Sequence, residues 1–443
     1  MINKIVLFLL FSFSFSQGYN MQLLSSLSFG QNTSDITGFY QDGREFAVVG
    51  LQNAAAFVDV TDPYNPFEVG RISGGTSIWR DLKYWDRHVY IGTEAADGVK
   101  VVSVDNLDNP VLVNTITDFT NSHNVYIDKD GYLYVVGAAS YAMWIYDLQD
   151  PSNPNLVGTW GSNDPGYAEY LHDITVYNNK VYGASIYEGF IYIIDVSDKS
   201  NPQTIQLNGQ NYFDTGGGYI SSHDTEVTPD EQYLFTGDEN TGGHVKVWDI
   251  SNYNNINLVA EYITDPNHSA HNLYYKDGLL FISYYADGTR VLDVEDPENP
   301  VEIAYYDTSS IEGLYVGNWG TYVYLPSGNI ISSDIETGLY VLGFGGVSIV
   351  HSDIQDVDLN ASPYVIFQAT VESFDGDVES VTLNYSLDNT NWDDVSMYEN
   401  GNSNIYDAVM TFDESDVIVS YYIEASSSTG QTNHQADSAT YSS

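Results

Sequence analysis

The stretch FVDVTDPYNP, residues 57–66, recurs along the chain and decides the fold. Related copies occupy residues 102–110, 145–154, 193–202, 247–256 and 291–300, with forms such as IYDLQDPSNP and VLDVEDPENP. Each copy is a short run of β-branched or aromatic residues followed by an Asp/Asn/Pro turn. Proline fixes the backbone angle φ, and the Asp side chain caps nearby backbone N–H groups, so the chain reverses there. Each copy therefore predicts a strand, a turn and a return strand.

A second phrase precedes the first one. Its forms include SIWRDLKYW (77–85), SHNVYI (122–127), LHDITVY (171–177), SHDTEV (222–227) and AHNLYY (270–275). Aligned on one position, the repeats begin at Asp35, Asp81, Asn124, Asp173, Asp224, Asn272 and Gly320, with spacings of 43 to 51 residues. Repeats of about 40–50 residues with four strands each are typical of β-propeller blades. The sequence predicts an all-β chain with a seven-bladed β-propeller over residues 20–345.

The two ends of the repeat region differ from the copies between them. The last copy supplies three strands, and Met21–Leu27, MQLLSSL, has the pattern of an outer strand without a blade of its own. We expect this N-terminal strand to close the last blade and to cover an exposed strand edge. Residues 347–443 lack the turn phrase and predict a C-terminal immunoglobulin- or fibronectin-type III-like β-sandwich.

The first 16 residues, MINKIVLFLLFSFSFS, predict a signal peptide. Lys4 supplies a positive charge, an apolar stretch follows, and Ser14 and Ser16 are small residues at the positions that a signal peptidase recognises. We therefore expect export through the Sec pathway to the extracellular space or the cell surface of a bacterium. The absence of cysteine fits a bacterial exported protein, and no later stretch is long and apolar enough to predict a transmembrane segment.

The charge excludes several classes of partner. Lys and Arg number 13 against 61 Asp and Glu, a formal net charge of −48. Nucleic-acid binding depends on Lys and Arg, so we expect no nucleic-acid partner. An anionic membrane surface is disfavoured for the same reason. The expected partner is an unidentified protein or glycan outside the cell, and we expect the chain to be a monomer.

Residues 20–345 resemble the choice-of-anchor B family. The resemblance rests on SIWRDLKYW, SHNVYI, LHDITVY and SHDTEV together with the repeated Asp-Pro turns, all in the same order. That family consists of exported bacterial proteins built from LVIVD-type propeller repeats. The resemblance implies a propeller associated with the cell surface and carries no established activity.

Four of the nine histidines share one repeat position, immediately before the aligned polar residue: His123, His172, His223 and His271. The first strand of a blade lines the central channel, so these side chains should converge at one mouth of it. The loops that return to this mouth carry carboxylates, among them Glu94, Asp238 and Glu239. Imidazole with carboxylate suits Zn, Fe or Mn, and carboxylate with carbonyl suits Ca. The four histidines are thus candidate metal ligands, with Asp173, Asp224, Asp238 and Glu239 as additional ones.

A structural role is the alternative for these histidines. Their imidazoles can bond to the backbone of a neighbouring blade while the adjacent Asp caps a turn. Repetition in several blades favours this role, because a functional site seldom needs every blade. His88 lies in a predicted strand at the place where Lys180 occurs in another repeat, and we expect it to be exposed.

Three functions follow from these alternatives. The favoured one is a non-enzymatic binding or scaffold protein displayed outside the cell. The second is a metal-dependent hydrolase or lyase with Glu94 or Glu239 as general base. The third is carbohydrate or matrix adhesion through the C-terminal sandwich. The chain contains no G-x-S-x-G or H-E-x-x-H motif that would name a specific reaction.

Overall fold

The structure is a computed structural model. It describes residues 18–162, 169–345, 347–351, 364–373, 377–387, 391–401, 404–411, 418–428 and 432–440. Within these ranges the regular structure consists of β-strands, which confirms the all-β prediction. The described part of the chain contains no helix of the length and apolar character needed to cross a membrane. The predicted signal peptide, residues 1–16, lies outside the described residues.

Residues 18–345 form seven antiparallel sheets, which we number 1 to 7 along the chain. Two short strands precede sheet 1 and join later sheets: β1 (Gly18–Tyr19) and β2 (Met21–Leu27). Sheet 1 contains β3 (Thr33–Gln41), β4 (Arg44–Leu51), β5 (Ala54–Asp59) and β6 (Phe67–Ser73). Sheet 2 contains β7 (Leu82–Trp85), β8 (His88–Ile91), β9 (Val99–Ser103) and β10 (Val111–Ile116). Sheet 3 contains β11 (Asn124–Ile127), β12 (Tyr132–Val136), β13 (Met143–Asp147) and β14 (Asn155–Trp160).

The remaining four sheets follow the same consecutive order. Sheet 4 contains β15 (Asp173–Tyr177), β16 (Lys180–Ser185), β17 (Phe190–Asp195), β18 (Gln203–Thr204) and β19 (Phe213–Asp214). Sheet 5 contains β20 (Ser222–Val227), β21 (Tyr233–Asp238), β22 (Val245–Asp249) and β23 (Asn257–Tyr262). Sheet 6 contains β24 (Leu273–Lys276), β25 (Leu279–Ser283), β26 (Thr289–Asp293) and β27 (Val301–Tyr306), with β1 paired to β27. Sheet 7 contains β28 (Asn318–Tyr322), β29 (Ile330–Asp334) and β30 (Gly338–Phe344), with β2 paired to β30.

The turns explain why the strands begin and end where they do. The first two strands of sheets 1 and 6 are joined by Asp42-Gly43 and Asp277-Gly278, and all four residues have positive φ. A two-residue turn of this kind matches the twist of the strands it connects. The Asp-Pro phrases form the turns before the outer strands, where Asp62 accepts hydrogen bonds from the backbone N–H of Tyr64 and the side chain of Asn65. The recurring phrase therefore forms turns in which an Asp side chain accepts hydrogen bonds from the residues that follow it.

The seven sheets are arranged in a ring. The first strands of successive sheets are neighbours from β3 through β24, sheet 6 contacts β28 through β25, and β28 lies beside β3. The closure between sheets 7 and 1 is hydrogen-bonded: the Thr33 N–H donates to the Ile335 carbonyl at 3.0 Å. The buried Glu45 carboxylate accepts from the backbone and hydroxyl of Ser327 at 2.6 and 2.7 Å. Because β2 covers β30, the N-terminal strand supplies the outer strand of the sheet formed by the end of the repeat region.

The chain beyond the ring forms two further antiparallel sheets. One contains β31 (Val347–His351), β32 (Val365–Ser373), β35 (Tyr398–Glu399) and β36 (Ile405–Met410). The other contains β33 (Val378–Ser386), β34 (Asp393–Ser396), β37 (Ile418–Ser427) and β38 (Thr432–Thr440). Both contribute to one buried apolar cluster that includes Val365, Phe367, Leu383 and Ile423. This core is separate from the apolar clusters of the ring.

Candidate functional site

The shared repeat position brings the four predicted histidines together. His123, His172, His223 and His271 lie at the starts of the first strands of sheets 3 to 6. Successive ring centroids in this order are 3.9, 4.3 and 4.1 Å apart. The last three of these histidines are almost completely buried. The four imidazoles thus form a continuous row at the centre of the ring of sheets, which we call the histidine row.

The hydrogen bonding of His271 fixes which of its nitrogens carries the proton. Its Nδ1 lies 2.6 Å from the backbone carbonyl of Trp319, the residue at the same repeat position in sheet 7. A carbonyl only accepts, so Nδ1 must be the protonated nitrogen. Burial lowers the pKa of His271 to about 3, so the ring is neutral at neutral pH. Its Nε2 therefore presents an unprotonated lone pair.

Glu239 faces these imidazoles from the loop that follows β21. Its carboxylate oxygens lie 3.9 Å from Nε2 of His223 and 4.0 Å from Nε2 of His271. Both distances are too long for direct hydrogen bonds. Tyr285 donates its hydroxyl at 2.6 Å to Oε1, the oxygen that lies 4.0 Å from His271. Burial raises the pKa of Glu239 to about 7, since removal from water disfavours the charged form.

His172, His223 and Glu239 form a cluster with metal-binding spacing. One ligand atom from each residue lies within 4.8 Å of the others. Burial lowers the pKa of both histidines well below the usual range, and neighbouring imidazoles lower it further. The Nδ1 atoms of both rings are buried and form no hydrogen bond within the described residues. Neutral imidazoles and a carboxylate are thus collected in one place, and their spacing is one that could hold a metal ion.

The other predicted ligands occupy different surroundings. His123 turns toward Glu94, with its Nδ1 2.6 Å from a carboxylate oxygen. Asp173 accepts its own strand's N–H, from Ile174. Asp224 uses one oxygen for Thr225 and the other for the N–H of Leu273 in the next sheet, a turn-capping and sheet-linking role.

Asp238 forms a buried ion pair with Lys246 at 2.7 Å. The structure therefore does not bring Asp173, Asp224 or Asp238 into the cluster with His172, His223 and Glu239. Glu239 is the candidate additional ligand that does lie there.

Two cavities meet at this cluster. An inner cavity of about 30 Å³ is lined by the histidine row, Glu239 and the ring residues Asp35 and Asp81. A wider space of about 530 Å³, which we call the vestibule, shares His123, His172 and Glu239 with it. The vestibule walls include four isoleucines and a larger set of aromatic and acidic side chains: Trp79, Tyr170, Tyr187, Tyr285, Tyr315, Trp319, Glu94 and Glu336. His123, His172 and Glu239 therefore lie where the vestibule meets the inner cavity, and His223 and His271 line the inner cavity alone.

Sequence reasoning did not identify several residues of this site. Tyr285, which orients Glu239, has no counterpart at its position in the other repeats. Tyr170 and Tyr187 lie in loops and contact each other with ring centroids 5.0 Å apart. The abundance of tyrosine in the strands gave no signal that would separate these residues from those packed in the sheets.

His88 was wrongly predicted to be exposed. It is 7% exposed. Its Nδ1 contacts the Asp86 carbonyl and its Nε2 the hydroxyl of Ser152, each at 2.8 Å. Ser152 belongs to the Asp-Pro turn of sheet 3, so this histidine connects two sheets.

Comparison with known families supports the repeat architecture. The LVIVD repeat family matches residues 166–206, a span that ends with β18 of sheet 4. One LVIVD repeat therefore corresponds to one sheet of the ring. The chain has a repeat β-propeller fold. No curated protein matches this chain.

A solved structure that is similar to this chain is described as a putative 6-phosphogluconolactonase from Bacteroides fragilis. The two chains are 12% identical, with a TM-score of 0.48. The similarity covers 71% of the present chain and 95% of the other.

Proposed function

We propose that the protein is an exported bacterial propeller whose seven sheets are seven blades, followed by an immunoglobulin- or fibronectin-like sandwich. The ring of sheets and the LVIVD match support the repeat propeller. The proposed assignment to the choice-of-anchor B family rests on the repeated phrases of the sequence. The N-terminal sixteen residues support export through the Sec pathway. In this proposal the sandwich serves as a spacer, and the propeller presents its channel mouth to a ligand or partner outside the cell.

We infer that the channel mouth binds a divalent transition metal through His172, His223 and Glu239, and that the protein is a metal-dependent binding protein. The observation that carries this inference is the close set of three donor atoms, all within 4.8 Å of one another. Without a cation, two buried imidazoles lie beside a buried carboxylate without a hydrogen bond to it, at 3.9 Å for Nε2 of His223. Such an arrangement is costly unless a proton or a metal ion balances it.

The chemistry of the donors selects the class of metal. Two neutral imidazoles and one carboxylate suit Zn²⁺ or Fe²⁺ better than Ca²⁺, which prefers oxygen donors. Three protein ligands leave a coordination position for a ligand that enters from the vestibule. The Tyr285 hydroxyl supports this role, since an outer hydrogen bond holds a ligating carboxylate in one orientation.

The test is elemental analysis of the chain purified without chelator and without a nickel column. We expect about one zinc, iron or manganese per chain in the wild type and a loss of that metal in the double variant His172→Ala/His223→Ala. His244→Ala is the matched control, because His244 pairs with Glu261 away from the cluster. A wild-type protein free of transition metal, even after incubation with zinc, would show that the histidines serve only to hold the sheets together.

A metal-dependent hydrolase or lyase is the second candidate. The observation that favours it is Glu94, which lies on the vestibule wall beside His123 and could accept a proton from a water or substrate above the metal. A screen of ester, lactone and glycoside substrates tests this function. We expect Glu94→Gln to abolish any turnover while the metal content stays unchanged. Turnover that survives Glu94→Gln would remove Glu94 from this role.

A further inference from the structure

The size and the walls of the vestibule indicate the class of ligand that could bind beside the metal cluster. Its volume of about 530 Å³ lies within the range of small-molecule sites in proteins. Two tryptophans line it, Trp79 and Trp319. Trp144 and Trp160 are instead buried in the sheets. The vestibule thus has the size and aromatic walls of a site for an organic ring.

The charges of the vestibule exclude an anionic ligand. The residues that line it include Glu94, Glu239 and Glu336, and none of them is Lys or Arg. Arg80, in the adjoining inner cavity, is 2% exposed and donates to the backbone carbonyls of Leu51 and Gly75. A phosphate or carboxylate would enter a bowl of acidic side chains on a chain of net charge −48. Even a divalent cation on the floor, opposed by the charges of Glu94, Glu239 and Glu336, would leave the vestibule without a net positive charge.

The hydrogen-bonding groups of the wall point to a ligand with many donors. Ionised carboxylates only accept hydrogen bonds. One oxygen of Glu94 pairs with His123 and one oxygen of Glu336 accepts from the Gly317 N–H, so the second oxygen of each can accept from a hydroxyl or N–H group of a ligand. The aromatic side chains offer flat apolar faces. Trp79 is 42% exposed and Tyr187 45% exposed, and Tyr219 extends this wall by stacking on Tyr187 at 6.0 Å. A sugar ring combines these two needs, because its C–H face stacks on an aromatic ring while its hydroxyls donate at the edge.

We propose that the vestibule binds an uncharged carbohydrate unit, with one pyranose face against Trp79 and its hydroxyls toward Glu94 and the cluster floor. This proposal rests on the proposed function, since it names the ligand class of the same channel mouth. An organic ammonium ion would also suit aromatic rings and carboxylates. It is disfavoured in its quaternary form, because that ion has no N–H group to donate to the carboxylates.

The experiment measures binding to the full chain by isothermal titration calorimetry. The probes are neutral hexasaccharides of glucose, xylose and mannose in several linkages, hexagalacturonate and glucose 6-phosphate as anions, and choline as a cation. We expect at least one neutral hexasaccharide to bind, and the anions and choline to give no heat at the same concentration. Binding of an anion or of choline in place of the neutral sugars would overturn the proposal. A failure of every neutral sugar, both here and on a broad glycan array, would overturn it as well.

Variants locate the site. Trp79→Ala should weaken sugar binding by about tenfold or more while metal content and melting temperature stay at wild-type values. The backbone carbonyl of Trp79 accepts hydrogen bonds from the Glu94 backbone N–H and the Thr93 hydroxyl, and it is retained in this variant. Trp392→Ala is the matched control, because Trp392 is 47% exposed and lies immediately before β34 in the C-terminal region. An equal loss in Trp392→Ala, or unchanged binding in Trp79→Ala, would place the sugar site outside the vestibule.

The two proposals fail separately. A chain that binds the neutral sugar equally well before and after chelation, with no metal by elemental analysis, would refute the metal site and leave the sugar site standing. A chain that holds one metal ion but binds no neutral glycan would do the reverse.

Discussion

Replacement of Glu239 by Gln in the metal-free protein should change how stability depends on pH. Burial raises the pKa of Glu239 from 4.5 to about 7, so the folded state binds this proton more tightly than the unfolded chain does. A group of this kind supports the fold below pH 4.5 and loses that support as the pH rises toward 7. At about 1.4 kcal/mol per pH unit, the rise corresponds to about 3 kcal/mol. Glu239→Gln removes this cost while the Tyr285 hydroxyl keeps an oxygen acceptor.

The assay is urea unfolding, followed by tryptophan fluorescence, of both proteins in EDTA at pH 5 and pH 8. We expect nearly equal unfolding free energies at pH 5 and a Glu239→Gln variant more stable by about 2–3 kcal/mol at pH 8. Other buried acids such as Glu45 and Glu226, whose pKa values burial raises to about 7 and 8, cancel because both proteins contain them. Added Zn²⁺ should then stabilise only the wild type. Identical pH profiles for the two metal-free proteins would refute the buried, electron-rich cluster from which the metal site is inferred.

Two further substitutions test the ring of sheets. Lys83→Met should lower the unfolding free energy by about 3–5 kcal/mol in urea denaturation, because Asp81 would lose the ammonium 2.7 Å away while remaining buried. An unfolding free energy equal to that of the wild type would refute the stabilising role of this ion pair. Gly158→Ala should lower the melting temperature, because the added Cβ would lie 1.9 Å from the Lys199 carbonyl of the neighbouring sheet, a backbone atom that cannot rotate away. A melting temperature equal to that of the wild type would mean that the two sheets approach less closely than in the structure.

The sequence predicted the architecture because repetition amplifies a weak local signal. A single run such as IIDVSDKSNP does not distinguish a strand from other short apolar segments. Six copies at a common period fix both the strand pattern and the turn chemistry. The same phase placed the four histidines side by side, and the structure shows them in a continuous row.

Contacts between repeats lie beyond this kind of inference. His88 is buried because Ser152, 64 residues later in the chain, meets its Nε2. The pairing of Tyr285 with Glu239 likewise joins loops of two different sheets at non-equivalent positions. A repeat pattern describes what the copies share. It therefore cannot show which side chains from different copies meet, nor which nitrogen of an imidazole faces the channel.

The structural and the metal-binding roles of the histidine row need not exclude each other, because an imidazole has two nitrogens. The Nδ1–H of His271 bonds to the next sheet, worth about 1 kcal/mol, and this bond turns Nε2 toward Glu239 as a free lone pair. A repeat position at which an imidazole can join two sheets therefore also places potential ligand nitrogens in a row. The residue that breaks the repeat is then the informative one. Glu239, brought over the row by the loop after β21 and held by Tyr285, places a carboxylate beside His172 and His223, and these three residues form the proposed metal site.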